Sequence, residues 1–133
     1  MADTCDEIAT YLGSVSPTLG TIVKRELPAR PDAVLVVTNY GGFPAEHGFG
    51  TPGIKYENVG IQLKSRGTND DPLEPYARIQ RAFLELAKIQ AMTLSGTKYL
   101  FAIAMQSPFP LMKDSNNRTI YAVNFIFTKE PSA

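Results

Sequence analysis

The chain holds one histidine and one cysteine, so acid–base or nucleophilic chemistry would have to run through His47 and Cys5. A serine triad built on His47 would need a G-x-S-x-G turn to present the serine, and the sequence has none. Cys5 and His47 could together form a nucleophile and its base. No spacing joins them, and Cys5 falls on a short terminal helix. A small apolar residue and a loop histidine are the plainer description, and no catalytic residue is assigned. Metal ligation needs His, Cys or carboxylates gathered at useful spacing. Asp114 stands alone, and Asp70-Asp71 is explained by capping and dipole compensation at a helix start. No metal or cofactor is expected.

The glycine-rich stretch 41–53, GGFPAEHGFGTPG, holds five glycines, two prolines and two phenylalanines around His47. It fails the phosphate-binding loop pattern, since no Gly-Lys-Ser/Thr follows and no helix opens after it. It is too long and too aromatic for a plain hairpin turn and reads as a loop that reaches a neighbouring molecule. A second loop, 107–117, carries Pro108, Phe109 and Pro110. Prolines lower the entropy lost on ordering a loop, and aromatics supply contact area. The candidate contact residues are therefore Gly42, Phe43, Pro44, His47, Phe49, Pro108, Phe109 and Pro110. Lys55, Lys64 and Arg66 cluster on one strand. They could face DNA phosphates, although a solvated strand edge guarded by cations is the simpler expectation.

These residues need elements to hold them. At 133 residues the chain forms one domain with a real core. Thirteen basic residues balance thirteen acidic ones, so nothing global points to nucleic acid or a membrane surface. With one cysteine, no internal disulfide is available. No apolar run reaches membrane-span length, and the acidic N-terminus is unlike a secretory signal. Synthesis in the cytoplasm is the default expectation.

The central element is a helix pattern over 71–92. Leu73, Tyr76, Ile79, Phe83 and Leu86 share a face, while Arg78, Arg81, Glu85 and Lys88 lie mostly opposite. Asp71, Pro72 and Glu74 give it a start, and Ser95-Gly96 a stop. Residues 2–15 form a shorter helix capped by Thr4 or Asp3. Strands are expected at 34–40, 56–66, 98–106 and 118–128, with a frayed tail over 130–133. On the third strand Tyr99, Phe101, Ile103 and Met105 share one face. On the fourth, Tyr121, Val123, Phe125 and Phe127 share one face. The sum is a single α+β domain over 1–133. It consists of an N-terminal helix and connector (1–30), then a mostly antiparallel sheet of four to five strands with a long helix (31–129). Both helices pack on one face of the sheet.

The stretch PDAVLVVTNYGGFP resembles the opening strand and Gly-Gly-x-Pro loop of tailed-bacteriophage minor capsid or tail-terminator proteins. YENVGIQLKSRG before the long helix and LSGTKYLFAIAMQSPFPLMKDSNNRTIYAVNFIF at the end are similar too. The likeness spans about residues 31–129. It implies an α+β subunit of a hexameric ring at the neck of a siphophage virion. Such a ring caps the tail tube, stops its polymerisation and joins tail to head, with genomic DNA passing through its lumen. The implied partners are further copies of the chain, the tail tube protein and a head–tail connector or stopper protein, with no membrane. A head-completion role is the nearest alternative. A small enzyme, or a binding module with 41–53 as its lid, is the remote one.

Overall fold

The computed structural model describes residues 3–16, 19–47, 53–68 and 71–131, with His47 described by its backbone alone. Helix α1 spans Thr4–Val15 and opens with a reciprocal cap: Asp3 accepts from the Asp6 amide, and Asp6 accepts from the Asp3 amide. Its buried side chains include Cys5, Ile8 and Leu12, while Val15 is exposed. Strand β1 (Ile22–Lys24) follows and pairs in parallel with strand β2 (Val34–His47). Strand β3 (Ile54–Arg66) returns antiparallel to β2.

Helix α2 spans Leu73–Ala87, shorter than the pattern over 71–92 promises. Asp71 accepts from the amides of Leu73 and Glu74 at its start. Its last turn tightens where the Lys88 amide reaches the carbonyls of Glu85 and Leu86. The remainder is strand β4 (Gln90–Leu94), because Ile89 and Met92 continue the apolar spacing without being helical. Ser95-Gly96 does not stop the helix. Both residues have positive φ (48° and 87°), and they turn β4 into strand β5 (Thr97–Ala104), as a two-residue hairpin requires. The 107–117 segment is not a plain loop either. It contains strand β6 (Phe109–Lys113), followed by a turn at Asp114. Strand β7 (Thr119–Lys129) closes the chain.

The sheet therefore has seven strands and is mixed, in the order β1-β2-β3-β7-β5-β4, with β6 also on β7. It is larger than the four to five strands expected. The added strands are the short or proline-bearing segments that lack clean alternation: Ile22–Lys24, Gln90–Leu94 and Phe109–Lys113. One face of the sheet carries the core. Leu35, Val37, Ile61, Leu63, Val123, Phe125 and Phe127 meet Ile8 and Leu12 of α1 and Ile79, Ala82 and Leu86 of α2. Each large side chain removed from water there contributes about 2 kcal/mol. Glu7 is buried beneath α1, where it accepts from Tyr99 Oη (2.6 Å) and Thr97 Oγ1 (2.7 Å). That pair of bonds ties the N-terminal helix to β5.

Two phase shifts matter for function. On β5, Tyr99 opposes Lys129 and Phe101 opposes Thr128, so two residues face one. This bulge breaks the shared face expected of Tyr99, Phe101, Ile103 and Met105. Tyr99 enters the core, while Phe101, Ile103 and Met105 turn to the outer face. Helix α2 is also rotated from its expected setting. Its buried side is Pro75, Arg78, Ile79, Ala82 and Leu86, leaving Leu73 (74% exposed), Leu84 and Tyr76 outside. Arg78 sets this rotation. Its guanidinium donates to the carbonyls of Leu19 and Arg66, to Ser65 Oγ and to Glu74.

Gly60 has no room for a side chain. A β-carbon there would lie 2.4 Å from the Gly41 carbonyl oxygen and 2.6 Å from that of Tyr40, and backbone cannot yield as a side-chain tip can. Gly60→Ala is expected to lower stability by about 1–3 kcal/mol and shift the melting temperature down by several degrees. Thermal denaturation checks this; an unchanged melting temperature would mean that the close approach of β2 and β3 is not obligatory.

Candidate functional site: a projecting hairpin and an apolar outer face

The 41–53 stretch is mostly strand. Residues 41–47 extend β2, and 54–60 pair back from β3 through Phe43↔Asn58, Glu46↔Tyr56 and His47↔Ile54. The register shifts at three points between Tyr40 and His47. Strand β7 accompanies β3 only as far as Glu57. Beyond that point β2 and β3 have only each other, so the hairpin projects past the sheet as a two-stranded ribbon. Phe49 and the rest of 48–52 lie outside the described residues. Gly42, Phe43 and Pro44 are exposed at the base of this ribbon, where β7 still flanks β3, with Phe43 at 59%. Pro44 tolerates this strand because β1 covers β2 only at Leu35–Val37, leaving an open edge at 44.

Asn58 holds the ribbon to the sheet. Its side-chain amide donates to the Pro44 carbonyl (3.0 Å) and to Glu46 Oε2, and its Oδ1 accepts from Thr128 Oγ1 (2.7 Å). Nothing in the sequence singled out Asn58, since one asparagine in an alternating strand carries no signal. Phe43 leans over the outer face of the sheet. With Asn58, Phe101, Ile103, Met105 and Ile126 it lines an apolar groove of about 540 Å³ across β2, β3, β7 and β5.

The other predicted positions are dispersed. Pro108 and Phe109 are half-buried, Phe109 opposite Ala122 on β7, while Pro110 is exposed. Lys55 is exposed and stacks over Tyr56 at 5.5 Å; Lys64 is half-buried in the middle of the sheet. Arg66 does not present its charge to solvent. It is 2% exposed and donates to the carbonyls of Pro31 (2.8 Å) and Asp32 (3.1 Å). Close by, Arg118 donates to Asp114 (2.8 Å), Asp32 (2.7 Å) and the Ala29 carbonyl. Burial raises the Asp114 carboxyl. The hydrogen bonds from the Arg118 amide and guanidinium and from the Asn116 amide outweigh that, holding it below the usual carboxylate range. The two arginines thus fasten the 29–32 connector and the Asp114 turn to the sheet end, and Arg66 is a structural residue. A strand-terminal arginine in a polar alternation looks exposed; only the fold of the connector across it says otherwise.

Cys5 and His47 are not brought together. Cys5 is buried, its thiol pushed up by burial and donating to the Val37 carbonyl at 3.0 Å. His47 lies ten residues further along the same strand, roughly 30 Å away at 3.3 Å per residue. Among the described residues, no three His, Cys, Asp or Glu side chains gather as metal ligands, and no helix is long and apolar enough to cross a membrane.

A layered α+β subunit with a projecting hairpin and an uncovered apolar sheet face is built for contact with other proteins. The chain belongs to the bacteriophage tail terminator proteins, whose family model matches residues 9–131. It is accordingly a structural virion protein of the phage tail that associates with other tail or head components. No curated protein matches it. Several solved structures share the fold; one of them does so with a TM-score of 0.57 at 9% identity over 96% of this chain and 90% of the other.

Removing 45–51 takes away no residue of the described core. The deleted chain is expected to fold with near-wild-type melting behaviour and to be missing from purified tails on immunoblot. Normal incorporation would mean that the ribbon makes no assembly contact.

Proposed function

We infer that the chain is the ring subunit that ends the tail. Copies close into a ring, of six by analogy with the group it resembles, on the head-proximal end of the tail tube. The ring stops tube growth and offers its far side to the head–tail connector, and the genome passes through its centre. The observation that carries this reading is the tail terminator family match over nearly the whole chain. It is supported by a subunit with apolar surface left open on both layers. The far part of β2 at 41–47, including the ribbon, and the β6 segment with Phe109 and Pro110 are the contact elements toward tube or neighbour. Lys55 and Lys64 remain the cations that could line the lumen; Arg66 drops out because its guanidinium is bonded inside the subunit.

The reading is tested by electron microscopy of particles from infections lacking this chain. Tails of uncontrolled length, unattached to filled heads, are expected. Tails of normal length beside heads that have lost DNA would instead assign the chain to head completion.

A further inference from the structure

The two open apolar surfaces lie on opposite layers of the subunit. The first is the groove on the outer sheet face, where Phe101, Ile103 and Met105 are 40%, 56% and 47% exposed. The second is the outward side of α2. Leu73, Ala77, Leu84 and Ala87 are all exposed, and they fall at positions i, i+4, i+11 and i+14, a single stripe. The stripe faces away from the buried Ala82 and Leu86, so it is no extension of the core. A helix that covers its inner side and still carries leucine and alanine outward is shaped to pack on something. The stripe is a convex ridge on which Ala77 and Gln80 lie between the two leucines, with Ala87 beyond them; the groove is open and mostly apolar, with Glu46, Asn58 and Thr128 as its polar lining.

We propose that the α2 stripe of one copy seats in the outer-face groove of the next, and that this contact builds the ring. The partner is a second copy of this chain because one contact of this kind covers both surfaces. Pairing groove to groove, or stripe to stripe, would be two-fold and would leave the other surface wet on every subunit. A contact between two different surfaces repeats head to tail and either closes or extends, as the ring requires. The bulge at Tyr99–Phe101 and the rotation of α2 by Arg78 are what turn these two sets of side chains outward. The proposal rests on the ring reading of this chain.

The test is cross-linking in assembled tails. Phage lacking the chain are complemented with a variant carrying both Leu84→Cys and Ile103→Cys; Leu73→Cys with Met105→Cys is the second pair. Tails are treated with a short bis-maleimide and run on a denaturing gel. The native Cys5 is buried and donates its thiol proton to Val37, so it stays unlabelled. A ladder rising above the dimer is expected from the double-cysteine chains and only monomer from each single-cysteine chain. Dimer from Ile103→Cys alone would mean sheet-to-sheet pairing and would overturn the proposal. Infectious tails that yield no cross-link with either pair would overturn it too, while leaving the ring reading standing. Normal tails in the absence of the chain would remove the ring reading itself.

Discussion

Strand β7 is hydrogen-bonded along both edges, and this double pairing places the rest of the chain. Strand β3 runs beside it from Arg66↔Ile120 to Glu57↔Lys129. On the other edge β6 takes 119–122 and β5 takes 125–129. A strand enclosed in this way has no edge open to solvent, and from Ala122 to Lys129 every residue of β7 is buried. Its core-side aromatics then decide where the helices sit. Phe125 meets Phe83 of α2 and Phe127 meets Tyr99, at ring separations near 6 Å that suit edge and tilted contacts. The projecting ribbon follows from the same constraint, because β2 and β3 outrun the strand that would otherwise hold them.

The subunit inverts the usual distribution of side chains at several points. Arg66, Arg78 and Arg118 are buried, while Phe43, Ile103, Met105, Leu73 and Leu84 are exposed. The arginines are satisfied by main-chain carbonyls and carboxylates, and they clamp connectors that have no apolar anchor of their own. Buried cations with that many partners give the fold specificity at modest net stability. The exposed apolar side chains are costly in a free monomer and become useful once covered. An assembly subunit of a virion lives covered, and this division of side chains suits it.

The sequence carried much of the core and less of the surface. The shared face read on the fourth strand contains Val123, Phe125 and Phe127, and all three lie in the core. Asp3, one of the two caps read for α1, was legible for a local reason as well. The errors have one physical origin: tertiary partners that local pattern does not encode. Arg78 belongs by type on a solvated face, yet the carbonyls of Leu19 and Arg66 draw it inward. Gln90–Leu94 continues a helical spacing, yet pairs with β5. The bulge after Tyr99 depends on what opposes it in β7. Of the contact residues named from sequence, Gly42, Phe43 and Pro44 are exposed at the base of the ribbon, but the groove beneath Phe43 comes from strands distant in sequence. Only the sheet order assembles Ile103, Met105 and Ile126 around it.

The most direct measurement is a cryo-electron microscopy reconstruction of the head-proximal end of the tail, at a resolution that traces side chains. The account predicts a closed ring of this chain seated on the last tube layer, with each α2 stripe against the neighbour's outer sheet face. A tail end without a ring of this chain, or copies placed between head portal and connector, would contradict it.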